Sequence, residues 1–240
     1  MRLLFASRGA PGPWILAAVL VGAATVVAWV LLTYRATEER LVSTEPARVL
    51  ADPQLVALAR RLAAPVYREH CASCHGAQGQ GGHGVPALAD AEWLYGNNPV
   101  GLEQIVLYGI RSGHPRARNL TDMPGMGRSG QLTDAEVEDV VQFVLQLSGQ
   151  AADAGRASSG RQVFYAKGNC FDCHASDARG VTDYGTPSLR GPHWMYGGDH
   201  DSLYRSVYDG RHGLCPSRAH VLSALEARAL AISLHEGWSK

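Results

Sequence analysis

Two short runs carry the chemistry of this chain: Cys71-Ala-Ser-Cys74-His75 and Cys170-Phe-Asp-Cys173-His174. C-x-x-C-H is the attachment signature of c-type haem. Each cysteine forms a thioether with a haem vinyl group, and the histidine that follows is held against the iron as its proximal ligand. Two cysteines and a histidine could instead bind zinc, but a zinc site needs a fourth ligand from a second knuckle or a histidine pair. The motif occurs twice, each copy opening a similar segment, and this favours two covalently bound haem c groups. Cys71, Cys74, Cys170 and Cys173 are then the attachment residues, and His75 and His174 the proximal iron ligands.

The distal ligand decides whether such an iron passes electrons or binds a substrate. Met123 precedes Pro124 in a loop and is the expected distal ligand of the first haem, with Met126 as its rival. A thioether favours ferrous iron and raises the potential, as an electron-entry haem requires. The remaining histidines read as exposed or packing groups. His70 stands too close to the first motif to reach its iron. Four of the five cysteines lie in the two motifs, so no disulfide framework is possible and Cys215 is left over.

The elements that must position these residues are helical, and the expected fold class is all-α: one transmembrane helix followed by two tandem domains, each with a helix running into its C-x-x-C-H motif, which resembles class I cytochromes c. Trp14–Leu32 is an uncharged apolar run of 19 residues. As a helix it spans roughly 28 Å, close to the hydrocarbon thickness of a bilayer. A cleaved signal peptide would have a shorter apolar core and a small-x-small exit, which is absent here. The expected organisation is a cytoplasmic N-terminus over residues 1–13, an anchor over 14–33 and a polar tether over 34–51. A first haem domain follows over 52–149, then a linker over 150–158 and a second domain over 159–240. Asp52-Pro53 opens a helix with Leu55, Leu58, Leu62 and Val66 on one face, running into the first motif. Thr133-Asp-Ala-Glu136 and Ser223-Ala-Leu-Glu226 are capping boxes that open two further amphipathic helices, each preceded by a leucine. Domains of this size bury little core of their own, and a haem supplies much of the apolar interior.

Charge excludes one class of partner. The chain carries 22 basic and 22 acidic side chains, with Arg2, Arg8 and Arg35 and no acid in residues 1–35. The remainder is slightly acidic and has no basic tract, which argues against nucleic acid and suits a basic electron carrier. Positive-inside counting is nearly silent about orientation, because Arg2 and Arg8 precede the span and Arg35 and Arg40 follow it. Covalent haem attachment takes place outside the bacterial inner membrane, so the haem domains are expected in the periplasm, behind a single-pass anchor.

A second repeat is more specific. Trp93-Leu-Tyr95-Gly96 and Trp194-Met-Tyr196-Gly197 stand at closely similar offsets from the two motifs. The aromatics can be core, or their polar edges can bond a haem propionate. Arg211, in Gly210-Arg-His-Gly213, can pair with a propionate too, with Arg111 as a loose counterpart. Together the anchor, the two C-x-x-C-H motifs, the W-x-Y-G pair, the G-R-x-G loop and the Leu-Thr/Ser capped helices resemble the dihaem subunit, subunit III, of cbb3-type cytochrome c oxidases. The resemblance covers nearly the whole chain after residue 13. It implies a non-catalytic electron-transfer subunit. Such a subunit takes electrons from a soluble cytochrome c or a quinol-oxidising complex and passes them to a monohaem cytochrome c subunit. The haem–copper catalytic subunit then reduces oxygen.

The resemblance also exposes a departure. Gly210-Arg-His-Gly-Leu-Cys215-Pro216 matches the family's G-R-x-G-x-M-P, with cysteine in the methionine slot. The expectation is a His174/Cys215 pair on the second haem, the alternatives being His212, His220 or an open site. Two other functions compete with the oxidase subunit. One is an anchored dihaem carrier for a periplasmic dehydrogenase. The other is a haem enzyme of sulfur chemistry with His/Cys ligation, which Cys215 keeps in play.

Overall fold

The computed structural model describes residues 12–238; Arg2, Arg8 and nearly all of the expected cytoplasmic N-terminus lie outside them. Helix α1, Pro13–Ser43, is 31 residues long and opens with proline at its first turn. At 1.5 Å per residue it is about 46 Å long, more than a bilayer's apolar thickness. Its apolar part is exposed all round, with Trp14, Leu20, Trp29 and Leu32 each more than 60% accessible. An apolar helix with no buried face suits lipid.

Residues 34–43, read from composition as part of a tether, continue this helix. Their glutamates and arginines are good helix formers. The segment is also docked: Leu41 is fully buried, and the Arg228 guanidinium donates to the Leu41 carbonyl (3.3 Å) and the Thr44 carbonyl (2.7 Å). These are carbonyls that the end of α1 leaves without helical partners. A short helix α2, Pro46–Leu50, follows and buries Val49.

Helix α3, Pro53–His70, starts as expected, with the Asp52 carboxylate accepting from the Gln54 and Leu55 amides (2.9 and 3.3 Å). It leads into the single turn α4, Ala72–His75. Helix α5, Pro99–Tyr108, is capped by Asn98 and stopped by Gly109. Helix α6, Asp134–Leu147, carries the Thr133/Glu136 capping box. Lys167, from the turn after the next helix, joins Glu136 and holds its carboxyl at about 2.

Helix α7, Ala154–Tyr165, begins inside the stretch read as a linker. Ala157 is buried, and a Cβ on Gly160 would stand 1.9 Å from the Asp139 carbonyl of α6. Only glycine permits helices to approach so closely. The turn α8, Phe171–His174, follows, then α9, His200–Asp209, capped by Asp199 and stopped by Gly210. The last helix, α10, Ala224–His235, carries the Ser223/Glu226 capping box. Among the described residues there are only isolated β-bridges and no strand.

The packing crosses the sequence order. Helix α10 lies on α3 and α5, whereas α6 lies on α7 and α9. One core joins Leu55, Leu58 and Val66 to Leu222, Leu230 and Ile232. The other joins Val137, Val140, Val141 and Val144 to Leu203 and Val207. The expected division into consecutive domains over 52–149 and 159–240 thus differs from the packing, in which each bundle closes with the capped helix of the other half. The short connection after α6 explains part of this, since it folds α7 straight back into an αα-hairpin.

A candidate dihaem site

The two histidines expected as proximal ligands are prepared in the same way. His75 Nδ1 lies 3.0 Å from the Pro86 carbonyl, and His174 Nδ1 lies 3.3 Å from the Pro187 carbonyl. A carbonyl only accepts, so the proton sits on Nδ1 and the Nε2 lone pair is free. Burial lowers both pKa values, more than the carbonyl bonds raise them, and keeps the rings neutral. A neutral, oriented imidazole is what iron ligation needs. The prolines belong to a repeat that motif reading passed over: Gly84-Val-Pro86-Ala-Leu88 and Gly185-Thr-Pro187-Ser-Leu189. Their common position behind the two motifs was the available signal.

The loops behind the motifs match in detail. Gly81 N donates to His75 O (2.8 Å) and Gly180 N to His174 O (2.9 Å). Leu88 N donates to Gly79 O (2.7 Å) and Leu189 N to Ala178 O (2.8 Å). No disulfide joins any of the five cysteines. Burial pushes Cys71 and Cys170 up to about 11. No group of three or more His, Cys, Asp or Glu side chains able to hold a metal ion occurs among the described residues.

Both motifs open onto one continuous cavity of about 640 Å³, with a mainly apolar wall. Trp93, Tyr95, Trp194, Tyr196, Arg111, Arg211, Met123, Met126 and Cys215 all line it. A large apolar chamber with two histidine–cysteine pairs on its wall fits haem.

The W-x-Y-G aromatics are core and bridge at once. Trp93 packs beside Leu102 and Leu234, and Trp194 beside the α6–α9 core. The tyrosines reach across to the opposite half. A Cβ on Gly185 would meet the Tyr95 ring at 2.1 Å, and one on Gly84 would meet the Tyr196 ring at 2.9 Å. Arg211 lies 4.2 Å over the Tyr196 ring and donates to Ser206 Oγ (2.9 Å). Arg111 donates to the Gly213 carbonyl (2.5 Å) and the Thr121 carbonyl (2.7 Å).

The distal candidates are placed opposite to expectation. Met123 was expected over His75, yet it packs on the α6–α9 core beside Trp194, in the bundle that holds the second motif. Its backbone pairs with Arg211, at the end of α9 (3.2 and 2.9 Å). Cys215 was expected over His174, yet it pairs with Ile110, just past the end of α5 (3.0 and 2.9 Å). It stands close enough to Cys71 and Cys74 for their charges to interact. The physical reason is the exchange of helices, which carries each distal loop to the other bundle.

The rivals fare differently. Met126 is buried in the α6–α9 core, and its amide donates to Val207 O (2.9 Å). His212 turns away to the Asp122 carboxylate (2.7 Å). Neither His212 nor His220 lines the cavity.

Comparison with known proteins identifies the family. The cytochrome c family model matches residues 62–148 and again 157–223. The chain is 38% identical over 209 residues to the cbb3-type cytochrome c oxidase subunit CcoP of Rhodobacter capsulatus, covering 84% of this chain and 70% of that protein. It is 34% identical to CcoP of Cereibacter sphaeroides (82% of this chain, 67% of that protein). It is 36% identical to the cbb3-type subunit FixP of a Bradyrhizobium strain (81% and 67%). Two tandem cytochrome c domains, two covalent haem c groups and an apolar N-terminal helix go with these similarities. The chain belongs to the family of the cbb3-type cytochrome c oxidase subunits CcoP and FixP.

Proposed function

We propose that this chain is the membrane-anchored dihaem subunit that delivers electrons to a cbb3-type haem–copper oxidase, with α1 in the inner membrane and both haem bundles in the periplasm. The observation that carries this reading is the single cavity shared by the two C-x-x-C-H motifs. Each bound haem supplies a one-electron iron couple; the chain supplies its surroundings. Cys71, Cys74, Cys170 and Cys173 fix the groups covalently, and His75 and His174 hold the irons with neutral imidazole. The apolar wall excludes water, which lowers the reorganisation that accompanies each change of charge. Arg111, Arg211 and the W-x-Y-G side chains line the cavity and would offer charge and hydrogen bonds to the propionates. Met123 supplies a thioether to the second haem.

The donor is a soluble cytochrome c or a quinol-oxidising complex, and a slight acidic excess outside the anchor suits a basic carrier. The acceptor is a monohaem cytochrome c subunit, and the haem–copper subunit reduces oxygen. Purification from native membranes in mild detergent tests this. A haem–copper subunit and a monohaem cytochrome c should co-purify, and the isolated chain should retain two haems on a denaturing gel. Co-purification with a dehydrogenase alone would overturn the oxidase assignment.

A further inference from the structure

We propose that Cys215 ligates the iron of the first haem, opposite His75, so that the haem nearest the anchor in sequence is the thiolate-ligated one. This deepens the dihaem reading and depends on haem being attached at Cys71 and Cys74.

The placement rests on the correspondence of the two distal loops. Helix α5 ends at Gly109 and α9 ends at Gly210, with φ of 75° and 78°. A Cβ on Gly109 would stand 2.2 Å from the Cys215 carbonyl, and a Cβ on Gly210 would stand 2.4 Å from the Met123 carbonyl. The residue after each glycine, Ile110 or Arg211, then bridges to the same loop position. Each of those positions is followed by proline, Pro124 or Pro216. Cys215 therefore occupies, over the first motif, the place that Met123 occupies over the second.

The Cys215 loop is tied to the first motif's bundle by further bonds. Ser217 Oγ and the Arg218 amide both donate to Leu107 O (2.9 and 2.8 Å), and the Arg218 guanidinium donates to His70 O (3.1 Å). These contacts hold Cys215 on the cavity wall it shares with His75, Cys71 and Cys74. Among the described residues its sulfur makes one long hydrogen bond, to the Pro216 carbonyl at 4.0 Å. On binding ferric iron, Sγ donates a lone pair and its proton leaves to solvent; no electron is transferred in that step.

The two haems are then unequal. A thiolate stabilises ferric iron, whereas a thioether stabilises ferrous iron. The first haem stays ferric over the range in which the second cycles, and the second haem carries the current.

The test is electron paramagnetic resonance of the oxidised two-haem protein, with single-motif variants to locate the signal. A low-spin ferric thiolate signal should appear in the native protein and vanish in Cys215→Met. It should also vanish in Cys71→Ser/Cys74→Ser and survive in Cys170→Ser/Cys173→Ser. A signal that follows the second motif instead, or two attached haems with no thiolate signal, would overturn the proposal. Loss of both haems from the native protein would overturn the dihaem reading itself, so the two failures are distinguishable. Should the single-haem chains fail to fold, His75→Met and His174→Met in the two-haem chain decide. The g values should move with the first substitution, and movement with the second alone would refute the assignment.

Discussion

Ile110 and Cys215 exchange two backbone hydrogen bonds, Ile110 N to Cys215 O at 2.9 Å and Cys215 N to Ile110 O at 3.0 Å. Met123 and Arg211 do the same in the other bundle. Each bridge joins the end of one half's short helix to the distal loop of the other. The pair links the two exchanged halves within each haem bundle.

The glycines beside these bridges should report the exchange. In Gly109→Ala the new Cβ meets the Cys215 loop, and in Gly210→Ala it meets the Met123 loop. Left-handed backbone adds about 1–2 kcal/mol of strain for a non-glycine residue. Both variants should unfold at lower temperature. Redox titration should show the first-motif haem perturbed by Gly109→Ala and the second by Gly210→Ala. If either substitution leaves both potentials unchanged, the clamp does not position a ligand.

Met123→His should keep a low-spin haem but lower one potential, because imidazole stabilises ferric iron relative to a thioether. The haem affected should be the one attached at Cys170 and Cys173. Met126→Leu, a near-isosteric change in the α6–α9 core, should cost under about 1.5 kcal/mol and leave both potentials in place. Titrating the two variants side by side separates the methionines.

Arg228 fastens the anchor helix to the first bundle. Its Nε donates to Glu103 at 2.6 Å, and both side chains are mostly buried. Arg228→Ala leaves a buried carboxylate and the carbonyls of Leu41 and Thr44 without their partner. A loss of about 3–5 kcal/mol is expected, in line with the breaking of a buried pair. Limited proteolysis should then cut within residues 36–51, where the docked native segment should resist cleavage. Equal cleavage of both proteins would mean that the segment is a free tether after all.

A mild pH dependence should come from His200, which joins α9 to α6 through Glu138 (2.9 Å) and also bonds Asp201. The bond to Asp201 and then that to Glu138 raise its pKa above the ordinary 6.5. A raised histidine binds its proton more tightly when folded. Its contribution is therefore complete below about 6.5 and is lost as pH rises through the higher folded value. The melting temperature of the native protein should fall over that window relative to His200→Gln. The change should be small, because the pair is partly exposed and screened. Parallel melting curves for the two proteins at every pH would remove His200 from the account.

The sequence by itself determined everything local. C-x-x-C-H names its cofactor because the attachment points and the proximal ligand lie within five consecutive residues. The capping boxes at Thr133 and Ser223 and the stop at Gly109 are equally local, and each helix begins or ends where its own neighbours dictate. The Trp14–Leu32 run announced a membrane span by length and composition alone. Its continuation to Ser43 was not legible, because the core that buries Leu41 is completed by α10, from the far end of the chain. The tertiary structure alone decided in which bundle the Met123 loop and the Cys215 loop pack. Both halves carry the same capped helix, the same short helix with its glycine stop and the same W-x-Y-G element, so either half could close on itself or on the other with the same pattern satisfied. The outcome turned on non-local contacts, above all the close approach of Gly160 to Asp139 and the seating of α10 on α3. No periodicity along the chain encodes such contacts, and they placed Met123 with the second motif and Cys215 with the first.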